Sequence, residues 1–414
     1  MIKEKLAMIR SEKINHQISQ FAIFLLFTSL LHHMLFCFIN THVKQITTAP
    51  LVLTELSMIG VVFLFFLRKI NLGSLILILF VIANTLVLVI FQSYFDPKEI
   101  RNFINPILLL WLGTQYNNKI STDRLVKWFG LIVLSVALFE LAFSDLYQQI
   151  FNVLQFQIAL GRSTEEALKF VTSNLSLNGV RWSGRNFLAF LGDHRISSVF
   201  LETVNVGNFS VLVAAWGLSK SSFKQGLLYI SIGLFIGLLA DSRFAVTLIS
   251  GLILLRYCLS INMLKLIGYF MPVFMLAICF LIAEDQRVLS DDFKGRLGST
   301  GYFILHFKPQ EFFGLYNRHY TLFVDQGYAH ILHFNGALLC LIMWVSLCWI
   351  KMQSDVGTRF KALISILIAT SLAISGDSVF AFKWSALMWF LLGTLALNAY
   401  KKNETINRVE VSHA

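Results

Sequence analysis

Residues 18–39 read ISQFAIFLLFTSLLHHMLFCFI, and Lys3, Lys5, Arg10 and Lys13 precede them. The run exceeds the roughly 7–15 residues of a signal-peptide apolar segment, and no A-x-A-like cleavage site follows it. As a helix it spans about 30 Å, the thickness of a bilayer's hydrocarbon core. It reads as a retained first transmembrane helix. Comparable apolar runs lie near 49–67, 72–91, 102–115, 125–143, 203–218, 226–240, 243–257, 263–283, 331–350, 362–375 and 384–399. The pattern predicts an all-α polytopic membrane protein of about 12 transmembrane helices (11–12).

Composition agrees. Of 414 residues, 56% are apolar and 14% charged, against about 45–50% and 25% in soluble domains, and mean hydropathy is +0.69. Twelve crossings of roughly 20 residues use about 240 residues, so any chemistry must lie in loops and helix ends. Net charge is +11, yet the cations are scattered between apolar runs, with no long cluster to track a nucleic acid. The cysteines Cys37, Cys258, Cys279, Cys340 and Cys348 sit in or beside apolar runs without CxxC or CxxH spacing. Neither a disulfide nor a structural zinc is expected.

With the N-terminus in the cytoplasm, the inner connections hold Arg68, Lys69, Lys119, Arg124, Lys127, Lys220, Lys224, Arg256, Lys265, Lys351, Arg359, Lys361, Lys401, Lys402 and Arg408. The short outer ones hold only Lys44, Lys98, Arg101, Arg243 and Lys383. The positive-inside rule then predicts an even number of spans and two cytoplasmic termini. Two long outer segments, 144–202 and 284–330, carry the most polar sequence, within a single integral domain over 1–414. The first opens with Leu146, Ile150, Val153, Leu154 and Ile158 at helical spacing, which predicts an amphipathic helix on the membrane face or the bundle. Ser163-Thr164-Glu165-Glu166 then fits a capping box for a second short helix through Thr172.

The cations of these segments are mostly arginine: Arg162, Arg181, Arg185 and Arg195, then Arg287, Arg296 and Arg318. A guanidinium fork binds phosphate oxygens bidentately and keeps its charge when partly dehydrated. These residues suit a lipid-linked diphosphate, though pairing with headgroups or loop carboxylates would also explain any one of them. Arg243, at the mouth of a helix in Leu239-Ala240-Asp241-Ser242-Arg243, is costly at that depth unless paired, as with Asp241, or turned to a polar cavity. Glu202, at the start of the sixth run beside Asn205 and Asn208, offers either a proton acceptor or a partner for Arg195. The second segment ends in Arg318-His319-Tyr320, then Asp325, His330 and His333 at a helix entrance. That spacing can present imidazole and carboxylate to one outer cavity, and it matches no zinc signature. The equally simple reading is histidines hydrogen-bonding at the interface. Walker A and GxGxxG sequences are absent.

In order along the chain, Arg195-Ile196-Ser197-Ser198-Val199-Phe200 with Gly207, then Ser242-Arg243, then Gly295-Arg296 through Phe313-Gly314 to Asp325-Gln326-Gly327-Tyr328 and Gly336 resemble the Wzy-type polysaccharide polymerases and related O-antigen ligases. The resemblance covers roughly 190–350 by motif and the N-terminal half by topology. It implies a GT-C-like, metal-independent glycosyltransferase of the bacterial inner membrane, without cofactor. Such an enzyme joins oligosaccharide repeat units carried on undecaprenyl diphosphate at the periplasmic face, and admits a chain-length-regulating partner. On that reading Arg195, Arg243, Arg318, Arg296 and His319 face donor and acceptor, and the base is one of Glu202, His330 and Asp325. The ligases' His-Asn pair is missing, since Ile331 follows His330 and Asn335 stands five residues on, which favours polymerase over ligase. A transporter or lipid-linked oligosaccharide flippase is the remaining alternative, although the halves of the chain look dissimilar and the polar chemistry concentrates in two loops. An enzyme using a polyprenyl-phosphate sugar would want acidic residues in the first outer connection, and 40–48 has none.

Overall fold

The computed structural model describes residues 2–92, 97–117, 120–161, 174–175, 179–180, 184–283, 293–315, 327–374 and 376–397, with side chains from 16 onward apart from those of 92, 97, 98 and 377. The helices are α1 (Ile2–His42), α2 (Thr48–Arg68), α3 (Leu72–Gln92), α4 (Pro97–Thr114), α5 (Thr122–Ala142), α6 (Ser144–Ile150), α7 (Val153–Ala159), α8 (Thr203–Ser219), α9 (Phe223–Leu239), α10 (Arg243–Cys258), α11 (Ile261–Ile282), α12 (Phe293–Leu305), α13 (Gly327–Trp349), α14 (Asp355–Ile374) and α15 (Trp384–Leu395). Among the described residues no β-strand forms, only two isolated bridges, Val180 to His194 and Met352 to Ala396.

Every apolar run of the sequence coincides with a helix. Among the described residues seven helices are long and apolar enough to cross a membrane: those over 16–42, 48–68, 72–91, 122–142, 261–282, 327–349 and 355–374. The other five runs became shorter or more polar helices, α4, α8, α9, α10 and α15. The 12 residues of α15 rise only about 18 Å. It is buried from Trp384 to Gly393 and meets protein on every side, so its length need not match a bilayer.

Serine caps start several helices, because a hydroxyl satisfies one of the orphan amides of a first turn. Ser121, Ser222, Ser242 and Ser260 accept from Arg124, Gln225, Ala245 and Met263. The interior is built from α8, α14 and α15, which are buried along nearly their whole length. At the periphery α2, α3 and α11 expose Leu53, Leu64, Leu79, Ile90, Phe270, Val273 and Leu281, the apolar face that a lipid environment requires. α4 and α15 approach to backbone contact: a Cβ at Gly113 would lie 2.1 Å from the Phe390 carbonyl, and one at Gly393 2.0 Å from that of Leu110. Gly393→Ala should therefore push the pair apart and cost about 1–3 kcal/mol or more, read as a lower melting temperature of the detergent-purified protein. Gly60→Ala, with nothing within 4 Å of the new methyl, should leave it unchanged, and equal behaviour of the two variants would refute this packing.

The two long segments are partly folded into the bundle. The expected amphipathic helix is two helices, because Asn152 accepts from Gln155 and starts α7 afresh. Its buried face carries Leu154 and Tyr147, Val153 and Phe156, the last three packed with Cys37, Leu51 and Leu201, while Leu146 is exposed. The capping box at 163–166 lies outside the described residues. In the second segment, α12 packs its small face on α11, where a Cβ at Gly301 would lie 2.1 Å from the Cys279 carbonyl. α13 breaks at Gly336, whose φ of 79° and ψ of 152° suit only glycine; there the chain touches Phe313 and Gly314 backbone.

Candidate functional site

Charged groups gather at both ends of the bundle. At one end Trp216 Nε1 donates to Asp123 (2.8 Å), Arg256 to the Leu218 carbonyl (3.1 Å), and Trp111 to that of Lys69 (3.2 Å). These caps tie helix ends together. At the other end lie the starts of α2, α4, α8, α10, α13 and α15, and there carboxylates, imidazoles and cations enter the helices themselves.

The scaffold of that end is Glu140, fully buried near the end of α5. Its Oε1 accepts from His194 Nε2 (2.8 Å), the Ser197 amide (3.0 Å) and the Ser197 hydroxyl (3.0 Å), and its Oε2 from the Ser198 amide (2.6 Å). Tyr147 donates to the Ser198 carbonyl at 3.1 Å. Burial, and then the Glu140 carboxylate, push the Tyr147 hydroxyl well above its ordinary range, so it stays a neutral donor. Arg185 is buried and spreads its guanidinium over the carbonyls of Phe187, His194, Leu238 and Leu239, at 3.3, 2.7, 3.1 and 2.6 Å. It closes the C-terminal end of α9, where orphan carbonyls and the helix dipole favour a cation. Asp241, in the left-handed region at φ 47°, accepts the amides of Asn186 (3.1 Å) and Phe187 (2.8 Å).

On this scaffold Arg195 is half-buried and donates to the Ala240 carbonyl at 3.3 Å. Arg243, the first residue of α10, is exposed, while Asp241 takes backbone amides. Glu202 Oε1 pairs with Lys383 Nζ at 3.0 Å, and its Oε2 accepts from Asn205. Arg296, on α12, donates to the Ile374 carbonyl at 2.8 Å. Arg318, His319 and Asp325, together with Arg162, Arg181 and Arg287, lie outside the described residues.

His330 and His333 do not share one carboxylate. His330 Nε2 lies 2.9 Å from Glu99 Oε1, while Asn335 donates to Glu99 Oε2 at 2.7 Å. His333 Nδ1 lies 3.8 Å from Glu311 Oε1. A carboxylate beside Nε2 holds the hydrogen of a neutral ring there and leaves the lone pair on Nδ1. His330 Nδ1 is buried and has no hydrogen-bond partner among the described residues. That is an imidazole oriented by an acid with one nitrogen able to take a proton.

Sequence reasoning missed the densest group. His32 and His33 of α1, Glu55 of α2 and Arg101 of α4 meet where all three helices approach this end. Glu55 is buried, with His32 Nε2 at 3.4 Å and His33 Nε2 at 4.0 Å from its Oε1. Arg101 donates to Oε2, and Lys383 adds its field, which links this group to Glu202. A signal was present: ionisable residues inside apolar runs are rare and demand partners. Glu55 interrupts 49–67 and Glu140 interrupts 125–143.

No family model matches the chain, and no curated protein or solved structure matches it in comparison.

Proposed function

We propose that the protein is a polysaccharide polymerase that joins undecaprenyl-diphosphate-linked repeat units at the periplasmic face of the bacterial inner membrane. The helices short of a full apolar span then complete a twelve-helix, GT-C-like bundle with both termini cytoplasmic. The observation that carries the reading is convergence: Arg195, Arg101, Lys383 and Glu202 with the Glu99–His330 pair stand at the end of the bundle that receives segments 144–202 and 284–330. The reaction needs two things, cations for a departing diphosphate and a base for an acceptor hydroxyl.

In the proposed step the acceptor sugar's hydroxyl oxygen bonds to the donor's anomeric carbon as that carbon's bond to the diphosphate oxygen breaks. The hydroxyl proton passes to His330 Nδ1, and the electron pair of the broken bond leaves with the lipid diphosphate. Arginines positioned beforehand stabilise the charge that develops on the leaving group. Arg243 is exposed at a helix start and Arg195 donates to the Ala240 carbonyl three residues before it, so these two are assigned to the diphosphate. The half-buried Glu202 carboxylate is committed to Lys383 and Asn205, which makes His330 the better base.

The lipid-linked glycan size ladder of cells with and without the protein tests this. Deletion should collapse the ladder to single repeat units, and Arg195→Ala or Arg243→Ala should do the same with protein still inserted. Long chains held on undecaprenyl lipid after deletion would instead mark a ligase. An unchanged ladder would bring forward the transporter reading, which the buried ionisable residues at membrane depth also fit.

A further inference from the structure

His32 Nδ1 lies 3.0 Å from the Thr28 carbonyl and 3.1 Å from the Ser29 carbonyl. Carbonyl oxygens only accept, so Nδ1 carries the hydrogen and the neutral ring turns the Nε2 lone pair toward Glu55 Oε1 at 3.4 Å. His33 brings a second Nε2 to 4.0 Å from the same oxygen. Neither separation is that of a charge-assisted hydrogen bond, which closes to about 2.7–2.9 Å. In a tetrahedral site with bonds near 2.0–2.1 Å, neighbouring ligand atoms stand about 3.4 Å apart. The three ligand atoms lie within 4.8 Å of one another, and all three residues are buried.

We propose that His32 Nε2, His33 Nε2 and Glu55 Oε1 bind a transition-metal cation of the zinc class, joining α1 to α2. The surroundings are those of a ligand set. Backbone carbonyls fix the His32 tautomer from behind, and Arg101 holds Glu55 Oε2, leaving Oε1 as the single donor. Phe382 and Phe156 flank the two imidazoles, with ring centroids at 5.9 and 6.5 Å. The cations Arg101 and Lys383 both act on Glu55, so the site selects a metal held by imidazole nitrogen and disfavours Mg²⁺ or Ca²⁺, which need several anionic oxygens. Three protein ligands leave a fourth position for an oxygen ligand. Arg101 Nε, buried without a hydrogen-bond partner among the described residues, is a donor within the cluster. The glycosyl transfer proposed above asks nothing of this cation.

The full-length protein, purified in detergent, is stripped with chelator, equilibrated with Co²⁺ and desalted. The expected result is about one Co²⁺ per chain, with visible absorption of a four- or five-coordinate site and no thiolate-to-metal band. His33→Gln and Glu55→Gln should each weaken uptake at least about tenfold, while His306→Gln, at an exposed histidine of the second segment, leaves it intact. Should the variants fail to assemble, pulsed electron paramagnetic resonance of the wild type loaded with Cu²⁺ decides, by showing two coordinated imidazoles or not. A stripped wild type that takes up no Co²⁺, or uptake unchanged in both variants, overturns the proposal.

Discussion

Arg101→Met is expected to be among the most damaging single changes in the molecule, and for a reason separable from catalysis. Arg101 and Glu55 form a pair with side chains 16% and 5% exposed, with His32 and His33 as close neighbours. Removing one member of such a pair strands the other charge and costs about 3–5 kcal/mol, whereas replacing both is often close to neutral. The single variant should therefore melt well below wild type in detergent, and the double variant Arg101→Met with Glu55→Gln should recover most of that loss. Polymer should stay absent in both, because restoring the fold does not restore the cation that stands with Lys383 around Glu55. A single variant that melts with wild type would show that Glu55 does not rely on Arg101. Polymer from the double variant would remove Arg101 from the proposed site.

What the sequence made legible follows from the scale of each force. The helices were readable because each rests on many apolar residues in one run, and burial acts on all of them together. The positions of Glu202 and His330 at helix starts were readable for the same reason. Their partners were not. Glu99 meets His330 from far along the chain, and Lys383 meets Glu202 across most of the second half; no spacing rule on one helix reaches so far. Arg185 illustrates the opposite error. Its residue type and its loop suggested a phosphate ligand, but the Leu238 and Leu239 carbonyls at the end of α9, with those of Phe187 and His194, offered four fixed acceptors and bury the guanidinium. α12 was hidden in the polar segment because Gly295, Gly298 and Gly301 lower its hydropathy, while Gly301 permits the close approach to α11.

Glu140→Gln should disable the proposed site without touching any residue assigned to substrate. The carboxylate holds the segment leading into α8 by the amides of Ser197 and Ser198, the Ser197 hydroxyl and His194. An amide in its place turns a donor toward groups that are themselves donors. Losing two charge-assisted bonds, each worth about 1.5–3 kcal/mol, costs about 3–6 kcal/mol locally. The segment has reason to relax: Ser198 and Leu201 sit in the left-handed region at φ 48° and 58°, a strain of about 1–3 kcal/mol each that the Glu140 contacts offset. Arg195 and Glu202 bracket these two residues, so release of the segment displaces a diphosphate ligand at one end and the Lys383 partner at the other. The expected result is loss of the polymer ladder together with new trypsin cleavage at Arg185 or Arg195, while cleavage elsewhere is unchanged. Asp145→Asn, at an exposed acid one turn beyond the same helix, should stay within about 0.5 kcal/mol of wild type. Retention of the ladder by Glu140→Gln would mean that residues 194–202 hold their shape by packing alone, and the left-handed turn would then need another source of support.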